Sequence, residues 1–198
     1  MAVEPLTATI ARVTDRILAP AETQLPFVEV ARRVVHSEKR VGADVDGIAV
    51  VLLTERSLDG MDETIEILSD PAATERIRAG DLAIQTGGFV WGRDLADEVG
   101  VLPDTLPHPQ RWRLMVSSGC RDALASRATP AERAEITRYI TGRFLDDPAG
   151  AGVELVGDLE RLYVAHFGGK RLVYRLDALQ RAVRMVEIMR GDFLHLQR

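Results

Sequence analysis

Apolar residues recur at helical spacing through Leu6, Ile10, Val13 and Ile17, and again after Pro26 through Phe27, Val30, Ala31, Val34 and Val35. Each stretch predicts an amphipathic helix, the first over 6–18 and closed by the Ala19-Pro20 break. Gly47 then opens a continuous run, Ile48-Ala49-Val50-Val51-Leu52-Leu53, of strand length and β-branched composition. Between 59 and 68, Met61, Thr64, Ile65 and Leu68 return to helical spacing with acids on the opposite face. Asp70-Pro71 restarts a helix, with proline near its first position, that is expected to stop before Gly80. Residues 84–110 differ in kind. They hold Gly87-Gly88, Gly92, Gly100, Pro103, Pro107 and Pro109 around Phe89, Val90 and Trp91, a pattern that predicts a linker packed in short pieces.

The C-terminal pattern is sharper. Trp112, Leu114 and Val116 alternate as a strand, and Ser117 or Ser118 caps a short helix carrying Ala123 and Leu124. Thr129-Pro130-Ala131-Glu132 is a capping box with proline at the first helical position. The helix it starts carries Ile136, Tyr139, Ile140 and Phe144 on one face and closes at Asp147-Pro148. Residues 163–167, 172–175 and 182–189 then read as three strands joined by short turns, an antiparallel meander. Strand, helix, helix and three strands predict an α+β layer with helices against one sheet face.

Charge divides the same chain differently. Residues 1–110 hold 10 Lys/Arg and 19 Asp/Glu, net −9, and residues 111–198 hold 15 and 11, net +4. Within 41–110 only Arg56, Arg76, Arg78 and Arg93 oppose 14 carboxylates, net −10. An acidic stretch tethered to a basic domain points to two parts that bind each other, and to a polyanionic ligand for the basic part. No apolar run approaches the ~20 residues that span a bilayer, so no membrane association is expected. Residues 1–5 show no secretory signal pattern, and Cys120 is the lone cysteine, which excludes an intrachain disulfide and fits a cytoplasmic location. His36, His108, His166 and His195 lack metal-ligand spacing, so no metal or cofactor is expected.

Residues 111–195 resemble the RelE/ParE toxin family. The resemblance rests on the first strand at 113–116, the helical pair, Asp147-Pro148, Leu155-Val156-Gly157-Asp158-Leu159, and above all His166-Phe167-Gly168-Gly169-Lys170-Arg171-Leu172-Val173-Tyr174-Arg175. The ending Val186-Glu187-Ile188-Met189-Arg190-Gly191-Asp192 is similar to the family's last strand and its arginine. Gly47 to Leu68, continuing through Ser69-Asp70-Pro71, resembles the Phd/YefM antitoxin family, with Thr9-Ile10-Ala11-Arg12 at its opening helix. Together the resemblances imply residues 1–70 as an α/β dimerisation and DNA-binding domain and 71–110 as an acidic neutralising linker. Residues 111–198 are then an antiparallel toxin sheet packed on two helices.

The resemblance implies a self-neutralised toxin–antitoxin fusion whose toxin domain is a metal-independent endoribonuclease acting on RNA at the ribosome. Cleavage by a 2′-hydroxyl needs a base, an acid and cations for the extra phosphate charge. Arg171 and Arg190 stand at the family's arginine positions and suit bidentate phosphate contact. His166 fits proton transfer near neutral pH, with Lys170 and His195 as further basic groups. Val164 and Leu194 stand where ribonuclease members carry a basic residue and a tyrosine. Two alternatives therefore stay open: a DNA-binding regulator with a degenerate toxin fold, or a ParE-like gyrase inhibitor. Arg12 and Arg16 are the candidate contacts to operator DNA, and a homodimer is expected from the Ile48 run, apolar on both faces. Ile65, Leu68, Phe89, Val90 and Trp91 are the candidate toxin-neutralising anchors.

Overall fold

The computed structural model describes residues 14–19, 22–37, 39–92, 94–95 and 111–190. Arg12, His195, Leu194 and most of the stretch read as linker beyond Leu95 lie outside the described residues. The chain is α+β and divides into two compact units, residues 1–59 and 60–198.

In the first unit, β1 (Arg16–Ile17), α1 (Phe27–Ser37), β2 (Val41–Val45) and β3 (Ile48–Leu52) form a three-stranded sheet, order β1-β2-β3, beside one helix. Its core is Leu18, Val30, Val34, Val41 and Ala43. The helix expected over 6–18 gives way, in its described part, to a strand pairing in parallel with β2, held by Leu18 N–H donating to Gly42 O. The β2–β3 hairpin turns at Asp46-Gly47, both at positive φ (52° and 78°). That dipeptide is a strong hairpin signal whose twist matches the strands. Strand β3 is an edge strand, and Ile48 and Val50 are exposed rather than buried on both faces.

The second unit is built on a six-stranded sheet, order β4-β5-β9-β8-β7-β6. The strands are β4 (Phe89–Trp91), β5 (Arg113–Ser117), β6 (Val153–Glu154), β7 (Leu162–Phe167), β8 (Lys170–Asp177) and β9 (Ala182–Arg190). The sheet is mixed rather than antiparallel, because β5 pairs in parallel with β9. The long connection between them, which carries helices and the strands β6 to β8, permits that pairing. Alternation along the strands sends Val116, Leu172, Tyr174 and Met185 to one face and Met115, Val164 and Val173 to the other.

Helices cover both faces, not one. Against the first lie α4 (Ser118–Arg127) and α5 (Pro130–Tyr139), through Leu124 and Ile136. Ser117 caps α4, and Thr129 and Glu132 form the expected capping box on α5. Against the second face lie the C-terminal part of α2 (Glu55–Leu68) and the whole of α3 (Pro71–Gln85), through Ile67, Ile77 and Ile84. Helix α2 begins before residue 59 because Thr54 Oγ1 accepts the Ser57 N–H (3.1 Å). Helix α3 runs through Gly80 instead of stopping there. A Cβ at Gly80 would sit 2.4 Å from Val186 O, so the glycine is a site of close helix–strand approach.

Within residues 71–91, assigned to the neutralising linker, the helix expected from Pro71 runs on to Gln85, and Phe89–Trp91 form a strand. Strand β4 extends the sheet beside β5, with Val116 opposite Val90. Phe89 and Trp91 pack edge to face, 5.5 Å between centroids, and the Arg113 guanidinium stacks on Trp91 at 4.9 Å. Trp91 is half-buried, so Trp91→Ala is expected to destabilise the second unit by about 2 kcal/mol, below the value for a fully buried tryptophan. Urea unfolding measures it, and an unchanged midpoint would exclude a packing role. Among the described residues no helix is long and apolar enough to cross a membrane.

Candidate functional site

The turn at Gly168-Gly169, both at positive φ, sets His166 opposite Arg171 across β7 and β8. Both side chains meet α2. Arg171 Nη2 donates to Glu66 Oε2 (2.5 Å) and its Nε lies 3.5 Å from Glu63 Oε2. His166 Nε2 lies 2.9 Å from Glu63 Oε1. Glu63 and Arg171 are each 9% exposed, so these charges interact where water screens them little. Two carboxylates of α2 thus occupy the guanidinium that the sequence marks as a phosphate contact.

Helix α2 is locked in place beside this cluster. Thr64 Oγ1 donates to Gly60 O (2.6 Å) and accepts the Val156 N–H (2.9 Å). Gly60 lets the helix approach the backbone of Glu154, where a Cβ would fall 2.1 Å from the carbonyl oxygen. One turn on, Ile67 is buried in the sheet. The docking face of α2 is therefore Gly60, Glu63, Thr64 and Ile67. Ile65 and Leu68, expected as anchors, are 63% and 41% exposed and point away. The sequence reading followed apolar residues alone, whereas the docked stripe is half polar because its target is basic. Helix α3 adds a second clamp: Arg175 Nε and Nη2 donate to Asp81 at 3.2 and 3.0 Å.

The remaining basic candidates lie around a cleft of about 850 Å³ lined by α2, α3, α4, α5, β8 and β9. Lys170 Nζ donates to Glu135 Oε2 (2.6 Å) and Gly168 O (3.2 Å). Arg190 Nη2 reaches Glu132 Oε1 (3.2 Å) with its side chain 81% exposed. Arg76 Nε lies 3.4 Å from Glu187 Oε2, and Arg127 completes the basic lining. Arg171, Lys170 and Arg190 thus share one cleft with Arg76 and Arg127, which the sequence reading did not select. It also missed the five opposing carboxylates, although Glu63 and Glu66 lie three residues apart, as one helix face requires. Arg16, the described DNA candidate, bonds Glu22 Oε1 at 2.5 Å in the first unit.

Glu187 enters the cleft through a β-bulge. Val173 pairs with Glu187 and Tyr174 with Met185, so Val186 is the extra residue that re-aims its neighbour. Burial is the main cause that raises the Glu187 carboxyl above the ordinary range, against the opposing pull of Arg76. The folded state therefore holds this proton more tightly than the unfolded state, and stability falls as pH rises above about 4.5. Glu187→Gln is expected to stabilise the protein at pH 7, with the gain vanishing below about pH 4.5. Thermal unfolding across that range tests it, and equal loss at every pH would contradict a buried, costly charge. Glu132 moves the other way, lowered first by the Thr129 N–H and further by Arg190. Cys120 is fully buried, and burial raises its thiol far above the reactive range.

No protein-family model matches this chain, and no curated protein does. Among solved structures it is similar to the RelBE2 toxin–antitoxin complex of Mycobacterium tuberculosis, at 21% identity and a TM-score of 0.39. That likeness covers 40% of this chain and 98% of the other.

Proposed function

We propose that the chain is a self-neutralised toxin–antitoxin fusion whose RelE-like sheet carries an RNA-cleaving site held inactive by α2. The observation that carries the reading is the pairing of Arg171 with Glu66 and with the buried Glu63, which also meets His166, at the place where a phosphate would need those basic groups. In this reading Arg171 and Arg190 hold the scissile phosphate, whose extra negative charge develops as the 2′-oxygen attacks. Lys170 supports that charge and His166 moves a proton. A glutamate carboxylate offers Arg171 the same planar pair of oxygens that a phosphate does, so the two compete for one guanidinium.

Tethering makes the competition one-sided. A linked inhibitor acts at an effective concentration of about millimolar, so even a ~1 μM intrinsic contact leaves about a thousandth of the sites open. The first unit acts as the DNA-binding and dimerising part, with its exposed Ile48 and Val50 edge available to a second copy. The test is a cell-free translation reaction given the full chain or its Glu63→Lys/Glu66→Lys variant. The messenger is expected to be cut only with the variant. Intact message in both, with loss of gyrase supercoiling in the variant, would favour the ParE-like activity; neither effect would leave a regulator.

A further inference from the structure

We infer that Glu187 is the catalytic base of the cleft, placed to take the proton of the attacking 2′-hydroxyl. The inference rests on the reading of the cleft as an RNA-cleaving site and names a residue of that chemistry. Backbone geometry brings Glu187 there. Strand β5 pairs with β9 only as far as Val116 opposite Met185, so that pairing ends before Glu187. The bulge at Val186 then sets Glu187 opposite Val173, on the face of β8 that carries Arg171. Arg171 pairs with Met189, which makes Glu187 its diagonal neighbour across the β8–β9 ladder. Such neighbours are about 7–8 Å apart, within the reach of long side chains. Arg76 from α3 and Arg127 from α4 line the same cleft, and Arg76 Nε lies 3.4 Å from Glu187 Oε2.

The other carboxyls that line the cleft are committed elsewhere. Glu66 belongs to α2 and leaves with it. Asp70 caps α3, accepting the Ala72 and Ala73 N–H at 3.0 and 3.1 Å. Glu132 accepts the Thr129 N–H and hydroxyl, bonds that hold its carboxyl below the ordinary range and weaken it as a base. His166 is not among the described residues that line the cleft. Glu187 is 8% exposed, and burial outweighs Arg76 and Arg127 to keep its carboxyl above the ordinary range, which makes its carboxylate a stronger base. Perturbed, buried carboxyls in clefts gather at functional sites. In the step, Glu187 takes the 2′-hydroxyl proton as the 2′-oxygen bonds to phosphorus. The bond from phosphorus to the 5′-oxygen breaks, and that oxygen leaves with the electron pair and takes a proton from water. A 2′,3′-cyclic phosphate remains, and Glu187 returns its proton to solvent.

The test adds Glu187→Gln or Glu187→Asp to the full-length Glu63→Lys/Glu66→Lys chain and follows messenger cleavage in the cell-free reaction at varied ribosome concentration. Glu187→Gln keeps the shape and removes the base, so kcat is expected to fall about 10²–10⁴-fold. KM is expected to stay nearly constant, because the lost interaction belongs to the chemical step. Glu187→Asp keeps a carboxylate and is expected to retain part of the rate. Thermal unfolding at pH 7 supplies the readout that a purely structural role would not give: Glu187→Gln is expected to lose activity while gaining stability. Cleavage that survives Glu187→Gln at the parent rate overturns the inference and leaves the RNA-cleaving reading in place. A fall in rate matched by a fall in stability overturns it too. No cleavage by the charge-reversed parent removes that reading and the inference together.

Discussion

Ile77→Ala is expected to destabilise the second unit by about 2–5 kcal/mol, the range for emptying a buried branched side chain. Ile77 lies on α3 and is 1% exposed, packed with Ile67, Ile84, Val173 and Val186. Among the described residues this face of the sheet is covered by the helices of 60–85, with Leu155 and Leu159 packed into the same cluster. A detachable acidic linker would give a different result: loss of an apolar contact there would change stability by less than about 0.5 kcal/mol, as at an ordinary surface site. Urea unfolding separates the two, since the midpoint must fall with little change of slope if the loss is one of packing.

The second large effect is electrostatic. Glu63→Lys with Glu66→Lys places two ammonium groups against Arg171 and His166; breaking the buried Glu63–Arg171 pair costs about 3–5 kcal/mol, and the solvent-screened Glu66 contact adds less. That is enough to lift α2 from the sheet while α3 stays anchored by Ile77 and by Asp81 on Arg175. Limited proteolysis is expected to cut the variant within 60–68 and to leave β7–β9 intact. The isosteric Gln pair removes the attraction without adding repulsion, and so is expected to give a smaller effect.

Much of the second unit's fold was legible in local chemistry. The Thr129 capping box, the Ser117 cap and the glycine turn between β7 and β8 all act within a few residues, so their signals survive in sequence; Asp147-Pro148, read as a stop, instead caps and starts a short helix. What sequence hid was non-local. Gly80 looks like a helix stop and is instead the point where α3 touches Val186. Phe89, Val90 and Trp91 look like scattered anchors in a linker and are a strand, because β5 supplies the ladder. Ile65 and Leu68 look like the docking stripe because apolar periodicity favours them, but the surface they would meet is basic. Its complement is Glu63 and Glu66, with Ile67 carrying the apolar burial. The basic candidates Arg171, Lys170, His166 and Arg190 could be picked from a motif; the carboxylates holding them could not, since Glu63 and Arg171 are separated by most of the sheet.

The capture of the basic cleft by α2 is tested most directly by growth of cells expressing three forms of the intact chain. The unaltered protein is expected to be harmless and Glu63→Lys/Glu66→Lys to arrest growth. Adding Arg171→Ala and Arg190→Ala to the reversed-charge form is expected to restore growth. Continued growth with the charge-reversed form, shown to be folded and cut within 60–68, would contradict the account, as would arrest that persists after both arginines are replaced.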